Sequence, residues 1–173
     1  MKKWYVGLVI VFMMVIVMCY AQKPEKLTEL KSFPVNDLEG IIAKTGVEFD
    51  KQISSDGKGS AKMVTESPTT INLYKAEKLD IDNARLVYQA KVKTEKMEGE
   101  VYLEMWCIFN GKGEYFSRGL DKKLTGTNDW TKLEIPFFLK TGEKPDDVVL
   151  NIVINGKGTV WIDDIRLLKG KLK

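Results

Sequence analysis

From Asn36 onward, apolar and polar residues alternate with a period of two in short runs, the signature of strands that bury one face. The pattern predicts strands over Gly46–Gln52, Ser60–Thr65, Thr70–Tyr74, Arg85–Lys93, Glu100–Phe109, Glu114–Arg118, Thr131–Phe138, Val148–Ile154 and Thr159–Leu168. Between them, Asp56-Gly57-Lys58-Gly59, Asn110-Gly111-Lys112-Gly113 and Asn155-Gly156-Lys157-Gly158 read as glycine-rich hairpin turns. Short strands, tight turns and almost no amphipathic helix predict an all-β fold, a two-sheet antiparallel β-sandwich or jelly roll.

The run over 100–109 gives the clearest two-faced pattern. Val101, Leu103, Met105, Cys107 and Phe109 form an apolar face suited to a core between sheets, which also makes Cys107 a buried, inert thiol. Tyr102, Glu104, Trp106 and Ile108 form the other, mixing aromatic rings with a carboxylate. The last strand, GTVWIDDIRLL over 158–168, carries two adjacent acids, Asp163 and Asp164, which alternation sends to opposite faces. One of them is expected on the face shared by Trp161, Ile165 and Leu167, where a carboxylate requires a partner.

The N-terminus follows different rules. Lys2 and Lys3 precede eighteen uncharged residues, Trp4 to Ala21, which read as an export signal cut after Ala21. An uncleaved membrane anchor and a lipid-bearing Cys19 are the alternatives. All three place the remainder outside the cytoplasm, with membrane contact only through residues 4–21. Residues 22–35 are polar, hold two prolines and read as a spacer with at most a short helix around Glu25–Lys31. The sandwich domain is expected over 36–170. Removing residues 1–21 takes away two lysines and no acid, so the net charge falls from +3 to +1. With no basic run of interleaved aromatics, nucleic acid is not an expected partner.

Chemistry is narrowed by what is missing. The chain has no histidine, which excludes Ser-His-Asp and Cys-His nucleophilic sites and the usual zinc sites. No phosphate loop or dinucleotide fingerprint is present, and Gly57-Lys58-Gly59-Ser60 reads as a turn. Glu104 and Glu114 are the one carboxylate pair with a chance of converging for glycoside hydrolysis, and the expectation is a protein that is not an enzyme. Binding is better supported. Sugar rings present apolar C–H faces and hydroxyl edges, so their sites combine aromatic platforms with hydrogen-bonding groups. Tyr102, Glu104, Trp106, Tyr115, Arg118 and Asn151 have these side chains on neighbouring predicted strands. Asp163 and Asp164, with carbonyls of the Asp56–Ser60 turn, are candidate ligands of a structural calcium ion. The competing reading has Asp163 accepting backbone amides or capping a turn.

GTNDWTKLEIPFFL (126–139) followed by GTVWIDDIRLL (158–168), with DGKGSAKM (56–63) before them, resembles carbohydrate-binding modules of the galactose-binding-like jelly-roll superfamily. The resemblance extends over roughly residues 36–169. It implies a non-catalytic module that recognises a polysaccharide, with Asp163 first and Asp164 second as calcium ligands. The same superfamily includes protein-binding members, so a cell-envelope protein-interaction or sensor-associated module with no glycan ligand is the alternative expectation.

Overall fold

A computed structural model describes residues 26–172; the expected export segment, with Cys19, lies outside them. The described chain forms β1 (Thr28–Phe33), β2 (Glu48–Asp50), β3 (Ser60–Thr65), β4 (Thr69–Glu77), β5 (Ala84–Phe109), β6 (Gly113–Arg118), β7 (Leu124–Leu139) and β8 (Asp147–Lys171), with one 3-10 turn at Leu120–Lys122. All pairings are antiparallel.

Two very long strands organise the molecule. β5 and β8 run side by side along their whole lengths and bend together. At one end of this ribbon β7 flanks β5 and β1 flanks β8. At the other end β6 flanks β5 and β4 flanks β8, while β3 and then β2 join the middle of β8. The inward side chains of both ends, from Leu86, Tyr88 and Val92 to Leu103, Met105, Ile152 and Leu167, merge into one core. Each such fully buried aliphatic side chain contributes about 1.5–3 kcal/mol. The result is a β-sandwich whose two layers share their central strands.

Four sequence expectations change. The spacer over 22–35 gives way to β1 at Thr28–Phe33, a strand paired with β8 rather than a helix, so the folded unit begins before residue 36. Its apolar Leu30 and Phe33 pack against the core, with Phe33 stacked on Tyr74 at 4.5 Å. The strand expected over 46–52 is only Glu48–Asp50. Asn155–Gly158 is not a hairpin turn but the bend of β8, and the runs on either side of it form one strand. Glycine is required there because β5 and β8 touch: a side chain on Gly156 would run into the Glu98 carbonyl, and one on Gly99 into that of Asn155.

The fourth change concerns the paired acids. Asp164 sits at φ +51°, where β8 carries an extra residue against β5 and the register shifts between Gln89 and Lys91. This bulge resets alternation. Trp161 and Asp163 therefore lie on the face opposite Val160 and Ile162, whereas Ile165 and Leu167 rejoin the core. The expected sharing of one face by Trp161, Ile165 and Leu167 does not occur.

Candidate binding face

Directly opposed residues of an antiparallel pair share a face, so the register builds the outward surface of the β4–β8–β5–β6 layer row by row. One row reads Asn72, Asn151, Glu104, Arg118. The next reads Lys75, Val149, Trp106, Phe116, and on the other side lie Thr70, Val153 and Tyr102. Five of the six residues expected to bind ligand, Tyr102, Glu104, Trp106, Arg118 and Asn151, are brought together here.

Glu104 is the hub. It is 4% exposed, and its carboxylate is filled by side-chain donors. Oε1 accepts from Trp106 Nε1 at 2.8 Å and from Asn151 Nδ2 at 3.0 Å, while Oε2 accepts from Arg118 Nε at 2.6 Å. Burial alone would push its pKa up, but the hydrogen bonds from Asn151, Arg118 and Trp106, with the Arg118 charge, outweigh it and hold the carboxyl below its ordinary value. The same hydrogen bond raises the pKa of Arg118. These bonds fix the Trp106 ring and the guanidinium, which lies over the Phe116 ring at 4.5 Å. Phe116 in turn packs at 5.1 Å from Trp106 and remains 51% exposed. Asn151 Oδ1, also buried, has no protein donor. Beyond Asn72 and Thr70 the face continues into a depression of about 550 Å³ lined by Thr45, Thr65, Ser67 and Thr69 among others.

Tyr115 is not part of this face. It opposes Cys107, so it lies on the core side of β6, at the rim, against Phe109. Arg118 and Tyr115 are three positions apart, and strict alternation already separates them. The residue that alternation selects is Phe116, opposite Trp106, which the sequence reading passed over. Glu114 does share the outward face, opposite Ile108. Ile108 is four residues from Glu104, about 13 Å along β5 at about 3.3 Å per residue. Glycosidase carboxylates stand about 5–9.5 Å apart. With Glu104 already held by three donors, this pair does not fit that chemistry.

The acids of the last strand do other work. Asp163 is 2% exposed; Oδ2 accepts the Ser55 amide at 2.9 Å and Oδ1 the Asp164 amide at 2.7 Å. Asp164 is held by Arg166 Nε at 2.6 Å and lies 3.4 Å from Lys91 Nζ. Nearby, Trp161 Nε1 donates to Asp50 Oδ2 at 2.9 Å, and Asp50 Oδ1 accepts the amides of Gln52 and Ile53. The Trp161 bond leads the interactions that lower the Asp50 pKa. Together Asp50 and Asp163 dock the loop over 51–59 onto β8. The expected calcium site does not fit these contacts. Calcium takes six to eight oxygen ligands. Here N–H donors occupy both Asp163 oxygens, and two cations face Asp164. The Asp56–Ser60 turn directs the amides of Gly57 and Lys58 at Ser54 Oγ. Among the described residues no group of three or more Asp, Glu, Cys or His side chains converges. The backbone-amide reading of Asp163 is the one the geometry shows.

No protein-family model matches the chain, and no curated protein matches it in sequence. Solved structures do match in fold. One described as "Family 16 Carbohydrate Binding Module-2" is 14% identical and covers 77% of this chain and 93% of its own, with a TM-score of 0.56. The CBM22-1 xylan-binding domain of Paenibacillus barcinonensis Xyn10C is 16% identical, covering 88% of this chain and all of its own, with a TM-score of 0.59. A "Xylan-Binding Domain from CBM 22" is 9% identical at a TM-score of 0.53, covering 81% and 94%. The chain therefore has the β-sandwich fold of carbohydrate-binding modules.

Proposed function

We propose that the protein is a non-catalytic module that binds a polysaccharide chain across the outward face of the β4–β8–β5–β6 layer. The observation that carries this reading is the arrangement of Trp106, Phe116 and Arg118 as one surface, braced from beneath by Glu104. Rigid, partly exposed aromatic rings offer a platform for the C–H faces of sugars, and bracing removes the entropy cost of ordering them on binding. The guanidinium has N–H groups beyond the one given to Glu104, and these can donate to sugar hydroxyls. Neutral polysaccharides suit the face because its central carboxylate and guanidinium neutralise each other. Structures of the same fold are described as xylan-binding, which makes xylan the first ligand to try.

In this reading the domain works outside the cytoplasm, delivered by the segment over 4–21. The test is retention of the full chain in affinity gels containing xylan, with Trp106→Ala beside it. Wild type is expected to be retarded, and the variant to migrate as in a gel without polysaccharide while keeping a cooperative melting transition. Absence of retardation by xylan, cellulose derivatives and galactan alike would overturn the proposal.

A further inference from the structure

Tyr115 leads to a second surface. β6 and β7 flank the same side of β5, one in each layer, so they form one open edge of the sandwich. Ser117 Oγ donates to the Pro136 carbonyl at 2.7 Å and closes that edge at one point. Towards the β5–β6 turn the edge opens into a cleft of about 380 Å³ walled by Phe109, Tyr115, Phe137 and Phe138. Its size falls within the ordinary range of small-ligand pockets, about 300–1,000 Å³. Tyr115 and Phe138 are 54% and 53% exposed, an uncommon concentration of open aromatic surface away from the outward face.

The polar groups of the cleft are disposed in a way that narrows the occupant. Tyr115 donates its hydroxyl hydrogen to the Lys112 carbonyl at 3.2 Å, which orients the ring and leaves the phenolic oxygen as an acceptor. Glu143 accepts the Lys140 amide with one carboxylate oxygen, and the other has no partner among the described residues. Lys112 and Lys140 line the same cleft, and neither has a carboxylate partner among the described residues. A neutral sugar would use the rings and leave both cations idle. An acidic peptide would use the cations and leave the rings idle. A ring with an apolar C–H face, hydroxyl donors and one carboxylate uses all of them.

We propose that this cleft is a second binding site, for a hexuronate residue of an acidic glycan. The sugar ring stacks against Tyr115 and Phe138, its carboxylate lies between Lys112 and Lys140, and its hydroxyls donate to Tyr115 Oη and Glu143. This proposal does not rest on the reading of the outward face, and the two fail independently.

The experiment is calorimetric titration of the full chain with trigalacturonate, with β-1,4-galactotriose as the neutral counterpart and pentaglutamate as the acidic peptide. Trigalacturonate is expected to bind, and added salt to weaken it. Lys112→Gln combined with Lys140→Gln should weaken it about tenfold or more, which is about 1.4 kcal/mol or more. Tyr115→Ala and Phe138→Ala, both at exposed positions, should weaken it similarly, and the lysine double variant should leave xylan retention unchanged. No binding of trigalacturonate, equal binding of galactotriose, equal binding of pentaglutamate, or loss of trigalacturonate binding in Phe116→Ala would each overturn the proposal.

Discussion

Glu104 and Asp163 are both almost fully buried carboxylates on sheet faces, yet they are satisfied in opposite ways. Asp163 receives backbone amides, one of them from Ser55 across 108 positions of sequence. Glu104 receives side chains: an indole, a carboxamide and a guanidinium. A carboxylate that gathers backbone fixes where the chain goes. One that gathers side chains fixes where functional groups point. The first is an element of the fold, and the second sets the geometry of the outward face on which the proposed polysaccharide site rests.

Removing each acid separates these roles. Asp163→Ala leaves the Ser55 and Asp164 amides without their acceptor and releases the docked loop. It should lower stability by about 2–4 kcal/mol, read as a fall in the urea midpoint. Xylan affinity of the folded fraction should not change, and a drop in affinity at full folding would erase the contrast. A chelator should leave the melting temperature of wild type where it was, because the Asp163 contacts need no ion. Glu104→Ala should cost about 1–3 kcal/mol, since it strands buried donors at a more yielding surface. Unlike the first variant, it should also weaken xylan retention by freeing Trp106 and Arg118. Phe116→Ala is the smaller test of the same face: it removes a half-exposed ring, with about 0.5–1.5 kcal/mol of binding at stake and little stability.

Much of this comparison could be read from residue order, and the exceptions are instructive. Alternation over 100–109 placed Tyr102, Glu104 and Trp106 together without any knowledge of partners, because no bulge interrupts that stretch. It also held the information that Phe116, not Tyr115, completes the platform. Tyr115 and its neighbour Phe116 are both aromatic, so residue type does not separate them and parity alone does. The acids of β8 depart from alternation for a different reason. Asp164 adopts a left-handed conformation that a sequence does not announce in a residue other than glycine, and a single inserted position reverses every side chain beyond it. The identity of the Asp163 partner was out of reach for a third reason: an amide donor is chemically the same at every position, so nothing marks Ser55 in advance. The β1 strand was hidden by prolines at both ends of a polar run, whose pairing depends on the free edge of β8.

The smallest expected effect is that of acid, and it sharpens the contrast further. Glu104 and Asp50 both have folded pKa values below their ordinary ones, 4.5 and 3.8. A carboxylate with a depressed pKa contributes its full stabilisation above the unfolded value and loses it as pH falls through the lower, folded value. Melting temperature should therefore be level from neutral pH down to the ordinary glutamate range and decline below it. Xylan retention should weaken in the same window, as protonated Glu104 loosens its hold on Arg118 and Trp106. In Glu104→Gln the side chain is neutral at every pH. Retention should then be weaker than wild type at neutral pH and carry no acid step of its own. The melting temperature should still decline in acid, because Asp50 continues to hold Trp161 and the amides of its loop. If retention in Glu104→Gln kept the wild-type acid step, the charge that organises the outward face would have to be sought on another residue.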